Sequence, residues 1–172
     1  MTPHPTPQEL VRVTVKALNG QLAIEEPAGA PMSVWLTLAE AGDLLAAARS
    51  LKAIGARLSM ITALADDGRG GNIVAYHFDI AGHTVTVKVW VVSGGSIDSI
   101  MTLFRNADWH EREFMEFYKI EVKDRADAKR LFLDESIEGG AMERLIPLSV
   151  LANAASTKML WESLTVMPEE AK

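Results

Sequence analysis

Residues 72–92 read NIVAYHFDIAGHTVTVKVWVV, and this stretch decides the fold class. Alternation of apolar and polar residues with a period of two is typical of a strand with one buried face. Ala81-Gly82 divides the stretch, so it predicts two strands, 72–80 and 83–92, joined by a tight turn. The residues that alternate in the second strand are Val85, Val87, Val89 and Val91.

The chain before this hairpin predicts a strand and a helix. Residues 58–64 are a strand candidate, separated from the hairpin by a polar, glycine-rich turn. Thr37 and Glu40 have the spacing of a capping box, in which each side chain binds an otherwise free backbone N–H. A helix is therefore expected from Thr37 to Gly55, where glycine favours the left-handed backbone that ends helices.

The first residues predict a flexible arm followed by strands. Residues 1–10 are rich in proline and polar side chains, which is typical of a loose terminal arm. Residues 11–18 alternate apolar and polar side chains and predict a half-buried strand. Asn19-Gly20 predicts a hairpin turn, with residues 21–25 pairing back.

After residue 95 the pattern becomes helical. A short helix is expected through Phe104, and a second one from Asp108, which forms a capping box with Glu111, to about Tyr118. Two further helices are expected at 124–133 and 149–164. The order of elements predicts an α+β fold with helices on one face of a mixed, largely antiparallel sheet. The expected domain covers residues 11–134, with a helical C-terminal extension of the same domain at residues 135–172.

The composition excludes several classes of function. The chain has 172 residues, a formal net charge of −6 and no cysteine. The negative charge disfavours nonspecific binding to nucleic acid or anionic lipid. The absence of cysteine excludes disulfides, thiolate nucleophiles and iron–sulfur clusters held by this chain's own thiolates. No apolar run approaches the roughly 20 residues of a membrane helix, so membrane contact is expected only through partners.

The polar residues do not predict a catalytic or metal site. His110-Glu111 lacks the second histidine of a zinc-protease helix, because position 114 is Phe. His77 and His83 on neighbouring strands have no evident third metal ligand, and strand histidines are more often hydrogen-bonded. The glutamates of segment 109–118 are not accompanied by a nucleophile or a pocket signal.

The densest charged segment is Trp109-His110-Glu111-Arg112-Glu113-Phe114. Arg112 and Glu116 stand four residues apart and can pair along one helix face. From the residues alone, two interpretations stay open. One is a solvated helix with weak surface ion pairs. The other is a guanidinium that joins two chain segments by bidentate hydrogen bonds.

Residues 107–120 resemble the signature of the C subunit of respiratory NADH:quinone oxidoreductase (complex I). That signature runs Ala-Asn-Trp-x-Glu-Arg-Glu, two variable residues, Asp, two more, and Gly-Ile. Asp108, Glu116 and Lys119 replace its asparagine, aspartate and glycine, and Asp124-Arg125-Ala126 stands where the family has Gly-His-Pro. The matching residues are Ala107, Trp109, Glu111, Arg112, Glu113 and Ile120, and the basic residues Lys129 and Arg130 also follow the pattern.

The resemblance implies a non-catalytic assembly subunit of a membrane-bound complex. It implies docking on a large [NiFe]-hydrogenase-like or quinone-site subunit, beside iron–sulfur subunits that carry the cofactors, while this chain holds none. The expected location is cytoplasmic, peripheral to the inner face of the membrane. Residues 131–136, 139–140 and 147–149 are similar to the branch found in energy-converting [NiFe] hydrogenases. The interface residues implied are Trp109, Glu111, Arg112, Glu113, Glu116, Lys129 and Arg130.

Two other classes of function remain as alternatives. A free-standing small-ligand or regulatory binding domain predicts a stable monomer or homodimer without a large partner. A small hydrolase requires a cleft that holds a carboxyl group with a raised pKa.

Overall fold

The centre of the structure is a five-stranded mixed sheet with the order β1-β2-β5-β4-β3. The computed structural model describes residues 5–66, 68–125, 129–134 and 139–143. Its helices are α1 (Pro7–Lys16), α2 (Leu44–Ala53) and α3 (Ala107–Tyr118). Its strands are β1 (Gly20–Glu25), β2 (Ser33–Leu38), β3 (Arg57–Asp66), β4 (Gly71–Ile80), β5 (His83–Val92), β6 (Ser96–Ile97) and β7 (Glu121–Val122).

The predicted fold class is confirmed. β5 pairs antiparallel with β4 and parallel with β2, and β1 and β3 form the two antiparallel edges. The valines of β5 are buried together with Val74, Tyr76 and Phe78 of β4, so one face of the sheet forms the core with the helices. On the other face, the ammonium group of Lys88 lies 4.7 Å from the centre of the Trp35 ring. The predicted boundaries of β5 match the structure, and those of β4 differ by one residue.

The prediction of a strand at 11–18 is wrong, because this segment belongs to α1. Thr6 and Glu9 form a capping box at its start, so part of the predicted flexible arm is helical. Val11 and Val15, four residues apart, are buried, while Val13 between them is 71% exposed. Spacing of this kind satisfies a helix better than a strand.

Asn19-Gly20 joins α1 to β1, so the predicted turn between two strands is also wrong. β1 pairs with β2, which follows it, in a register that places Gly20 opposite Leu38. A Cβ atom on Gly20 would lie 2.3 Å from the carbonyl oxygen of Thr37. Gly20 is therefore required by close approach of the neighbouring strand rather than by a hairpin turn.

The predicted helix start at Thr37 is wrong as well. Thr37 lies in β2 opposite Lys88 of β5, and a short 3₁₀ turn (Ala41–Asp43) precedes α2 at Leu44. The predicted end is confirmed, since Gly55 follows α2 with a φ of 85°.

Two predicted helices after β5 are absent from the described part of the chain. Residues 96–97 form β6, which pairs in parallel with β7, and a hydrogen-bonded turn at Ile100 leads into α3. Within 124–133, the described residues are not helical. The predicted helix at 149–164 lies outside the described residues, and of the extension at 135–172 only residues 139–143 are described. None of the described helices is long and apolar enough to span a bilayer.

Candidate partner-binding site

Helix α3 lies against the β3 edge of the sheet and organises the site. Ala107 and Phe114 are buried on its inner face. Phe104, in the turn before it, packs against Phe78 of β4 with ring centres 5.2 Å apart. The helix ends at Lys119, whose φ of 51° is left-handed and turns the chain towards β7. The predicted capping box is wrong, because α3 begins at Ala107 and Glu111 binds elsewhere.

The Glu111 carboxylate is buried and accepts hydrogen bonds from three groups. The hydroxyl of Ser99 and the backbone N–H of Ile100 donate to it, each at 2.8 Å. The guanidinium of Arg125 donates at 2.9 Å. Burial raises the pKa of Glu111 above its ordinary value, and these donors oppose that shift. Glu111 thus joins three segments of the chain in a low-dielectric site.

Arg125 completes this cluster. Its second terminal nitrogen pairs with Asp108 on the first turn of α3, and its first nitrogen also contacts the sulfur of Met101 at 3.3 Å. The side chain of Arg125 is 7% exposed, so the two carboxylates of α3 compensate a buried positive charge. This role of Arg125 was not predicted from the sequence. The one signal for it was that Asp124-Arg125-Ala126 stands where the family has a Gly-His-Pro turn.

Arg112 and Glu116 hold a second segment, residues 129–134, which we call the strap. The guanidinium of Arg112 donates to the carbonyl oxygens of Lys129 and Arg130, at 2.6 and 2.9 Å. The carboxylate of Glu116 accepts the backbone N–H groups of the three following strap residues. Arg112 therefore joins two segments of this chain by two hydrogen bonds, as the second interpretation of the charged segment predicts.

The predicted interface residues fall into two groups. Glu111 and Glu116 are buried and bind groups within the chain, and their place at a partner interface stays a prediction. Trp109 is 62% exposed, and Glu113 lies on the surface 3.8 Å from the imidazole of His110. Lys129 and Arg130 are exposed on the strap, Arg112 is half-buried, and Arg130 donates to the carbonyl of Asp134. Contact with a partner stays a prediction for these surface residues.

An apolar groove of about 400 Å³ runs between β3 and α3. It is lined by residues 60–63 of β3, by one face of α3 and by Met142. Met60 and Met142 are 45% and 58% exposed. Phe132 of the strap is also exposed and stacks on Phe117, a groove residue, with ring centres 6.2 Å apart. No sequence pattern indicated this groove, because its walls come from distant segments.

The strand histidines act as hydrogen-bonding residues. The ring nitrogens of His77 lie 3.1 Å from the hydroxyl of Thr62 and 3.0 Å from that of Thr86. Burial lowers the pKa of His77, and the nearby Lys88 adds to the shift. Nδ1 of His83 accepts the backbone N–H of Met32. In the described parts of the chain no three potential metal-binding side chains come together.

The hydrolase alternative finds no support in Glu111. Its pKa is raised, as a general acid requires, but both of its oxygens are bonded inside the fold and its side chain is 1% exposed. A substrate has no access to it, so Glu111 is a structural carboxylate.

The fold and this surface define the class of the protein as a small α+β domain with an ordered surface built on one helix. Residues 37–150 match the family model described as "Respiratory-chain NADH dehydrogenase, 30 Kd subunit". The chain belongs to this family, which includes the C subunit of complex I, and the recognition from the Glu-Arg-Glu segment is confirmed at that level.

Known relatives agree with this assignment. The chain is 27% identical over 156 residues to NAD(P)H-quinone oxidoreductase subunit J of Prochlorococcus marinus (strain NATL1A), covering 73% of this chain and 90% of the relative. It is 24% identical over 92 residues to the C subunit of the NADH-quinone oxidoreductase of Neisseria meningitidis serogroup B, covering 50% of this chain and 47% of that protein.

A solved structure supports the fold. The chain is similar to one chain of the membrane-bound sulfane sulfur reductase, an archaeal respiratory membrane complex, with a TM-score of 0.66. The similarity covers 96% of this chain and 95% of the other, at 12% sequence identity.

Proposed function

We propose that this protein is a non-catalytic assembly subunit of a membrane-bound complex I-like or energy-converting hydrogenase complex. One observation carries the proposal. The Glu-Arg-Glu segment shared with the family lies in a hydrogen-bonded unit, α3 and the strap, that leaves an exposed tryptophan and two basic residues on its surface. Trp109 and arginine side chains are the kind of groups that dominate binding energy at protein interfaces.

The buried carboxylates explain how such a surface keeps its shape. Glu111 ties α3 to the turn before it and to Arg125, and Glu116 ties it to the strap. A surface that is already ordered loses less conformational entropy when it binds, so more of its contact energy appears as affinity. In this proposal, Glu111 and Glu116 are positioning residues, and Trp109, Glu113, Lys129 and Arg130 meet the partner.

The proposed partners are a large [NiFe]-hydrogenase-like or quinone-site subunit and the iron–sulfur subunits of the same complex. Iron–sulfur clusters, and nickel–iron in a hydrogenase, belong to those partners, and this chain supplies shape and binding energy. The likeness of fold to one chain of an archaeal respiratory membrane complex supports a place in a membrane-bound respiratory complex. We place the subunit on the cytoplasmic side, attached to the membrane through its neighbours.

The experiment is an affinity capture of the tagged chain from solubilised native membranes, with partners identified by mass spectrometry. We expect a [NiFe]-type or quinone-site large subunit together with iron–sulfur proteins, and nickel in the captured complex distinguishes the hydrogenase branch. Trp109→Ala should reduce recovery at least tenfold without unfolding the chain, because its side chain is largely solvated.

Trp35→Ala is the matched control. Trp35 is also exposed, at 39%, but it lies on the sheet face that carries Lys88, away from α3. Recovery should stay near the wild-type level for this variant. Equal recovery for wild type and Trp109→Ala would refute the assigned surface, and recovery of the chain alone from the soluble fraction would refute the subunit proposal.

The groove favours one second candidate, a free-standing small-ligand binding domain. Its volume of about 400 Å³ falls in the range of ligand pockets, and its lining is largely apolar with a few polar groups. This candidate predicts a soluble monomer or homodimer without a large partner, which the same capture experiment distinguishes.

A further inference from the structure

Positive charge collects in a pocket between α3 and the strap. The pocket has a volume of about 200 Å³, and we call it the basic pocket. Among the described residues that line it, three side chains are cationic, Arg112, Lys129 and Arg130, and one, Glu116, is anionic. The described lining therefore carries more positive than negative charge, whereas the whole chain has a formal net charge of −6.

The carboxylate of the basic pocket is already used inside the fold. Both oxygens of Glu116 accept backbone N–H groups of the strap, three in all. Glu116 is 5% exposed, and in the described part of the chain it forms no salt bridge with Arg112 or Lys129. Its charge stabilises the strap backbone, so the cationic side chains of the pocket are not paired with it.

Arg112 keeps part of its hydrogen-bonding capacity for a further acceptor. Its Nε and Nη2 atoms donate to the strap carbonyl oxygens of Lys129 and Arg130. A guanidinium carries five N–H groups, so the groups on Nη1 remain for an acceptor in the pocket. The same two hydrogen bonds fix the strap backbone that carries the other two cationic side chains. The basic pocket is therefore ordered before an anion binds, which lowers the entropy cost of binding.

The convergence of like charges also favours an anionic occupant. Cationic groups around a volume of this size repel one another, and an anion bound between them relieves that repulsion. Lys129 is exposed, and the salt bridges found within the described ranges are formed by other residues. The ammonium group of Lys129 is thus available to a molecule that approaches from solvent.

The surroundings of the basic pocket indicate that the anion belongs to a protein. Trp109 precedes Arg112 by three residues, so the two side chains are neighbours on one face of α3. The indole of Trp109 is 62% exposed, and Met115 adds an apolar wall to the pocket. A free inorganic anion gains little from apolar groups, whereas a carboxylate on a protein surface brings apolar neighbours that cover them.

We infer that the basic pocket receives the carboxylate of an aspartate or glutamate side chain of the partner protein, with Trp109 covering apolar residues beside it. The inference rests on the proposed function, because it names the chemistry of the group that this surface binds. A carboxylate has two oxygens, so it accepts hydrogen bonds from Nη1 of Arg112 and from the ammonium group of Lys129 at the same time.

The test is zero-length cross-linking of the captured complex with a water-soluble carbodiimide. This reagent joins an amine to a carboxylate in contact with it through an amide bond, and takes up the released water as a urea. Mass spectrometry should find Lys129 joined to an aspartate or glutamate of a partner chain. A cross-link from Lys129 to an acidic residue of its own chain, or none at Lys129 in a complex cross-linked elsewhere, would overturn the inference.

Reversal of one charge gives an independent measurement. Lys129→Glu should reduce recovery of the complex in the affinity capture at least tenfold, because it sets a like charge against the partner's carboxylate. Arg49→Glu is the matched control, since it makes the same change of charge at an exposed position of α2. Its recovery should stay near the wild-type level. Undiminished recovery with Lys129→Glu would overturn the inference and leave the proposed function standing, whereas a wild-type chain captured alone would refute both.

The isolated full-length chain shows whether Lys129 has a structural role instead. Lys129→Glu should not lower the urea midpoint of unfolding, because it removes repulsion within the pocket. A lowered midpoint would mean that Lys129 is paired inside the chain and would overturn the inference. Absence of the cross-link, together with a melting temperature that rises in sodium phosphate for wild type and not for Lys129→Glu, would identify a free anion as the occupant and would also overturn it.

Discussion

Replacing Glu111 with alanine tests whether the buried cluster holds α3 in place. The variant loses the acceptor of the Ser99 hydroxyl and the Ile100 amide, and leaves Arg125 with Asp108 as its remaining carboxylate. Removing one partner of a buried ion pair typically costs about 3–5 kcal/mol. An unsatisfied buried amide alone accounts for about 1–3 kcal/mol. Because Asp108 still compensates Arg125, we expect a loss of about 3–4 kcal/mol in the free energy of unfolding.

The measurement is equilibrium unfolding in urea, followed by circular dichroism. A domain of this size has a total stability of about 5–15 kcal/mol, so the expected loss would shift the midpoint clearly. Glu113→Ala is the matched control, since Glu113 lies on the same helix with its side chain in solvent, and its effect should stay within about 0.5 kcal/mol. A loss below about 1 kcal/mol for Glu111→Ala would refute the assignment of Glu111 as the structural centre of the site.

Two further predictions concern the same helix. Glu116→Gln should speed hydrogen exchange of the three strap amides at least tenfold, because an amide side chain accepts their hydrogen bonds less well than a carboxylate. Unchanged exchange, or an equal effect of the control Glu113→Gln, would contradict this role of Glu116. The raised pKa of Glu111 predicts that the folded chain binds more protons than the unfolded chain above pH 4.5, so this group's contribution to stability falls as the pH rises through its folded pKa. The free energy of unfolding of the wild type minus that of Glu111→Gln, measured from pH 4 to 8, should therefore decrease as the pH rises. An increase of this difference with pH would contradict the burial argument.

The central strands were predictable because their pattern and their environment agree. β5 alternates buried valines with threonine and lysine side chains, and its turn at Ala81-Gly82 has positive φ at both residues. Local sequence and tertiary packing specify the same structure there, so a period of two was sufficient.

The errors at the N-terminal end arose from patterns that fit two structures. Val11, Val13 and Val15 suit a strand by alternation, yet Val11 and Val15 alone also suit a helix face. The Thr6–Glu9 capping box was the signal that decides for the helix. At Thr37 a capping-box spacing predicted a helix, but Thr37 lies in β2, where pairing with β5 overrides the local preference.

The helix that carries the site was predictable from the sequence, but the contacts of its side chains were not. The sequence identified the Glu-Arg-Glu helix, yet a helical carboxylate is usually solvated, and nothing local shows that Glu111 is buried. Its burial depends on Arg125, and the role of Glu116 depends on the strap; both partners lie well beyond the helix. Such long-range pairs require the fold itself.

The parallel pairing of β2 with β5 has a consequence for the synthesis of this protein. Met32, beside β2, bonds to His83 at the start of β5, 51 residues further along the chain. The hairpins β3–β4 and β4–β5 form from neighbouring segments within microseconds. β2, however, waits for the ribosome to deliver β5, which takes roughly several seconds at about 5–20 residues per second. During that interval β2 of the nascent chain can pair with β1 but lacks β5, its other neighbour, and we expect the apolar side chains Val34, Leu36 and Leu38 to stay exposed until β5 is delivered.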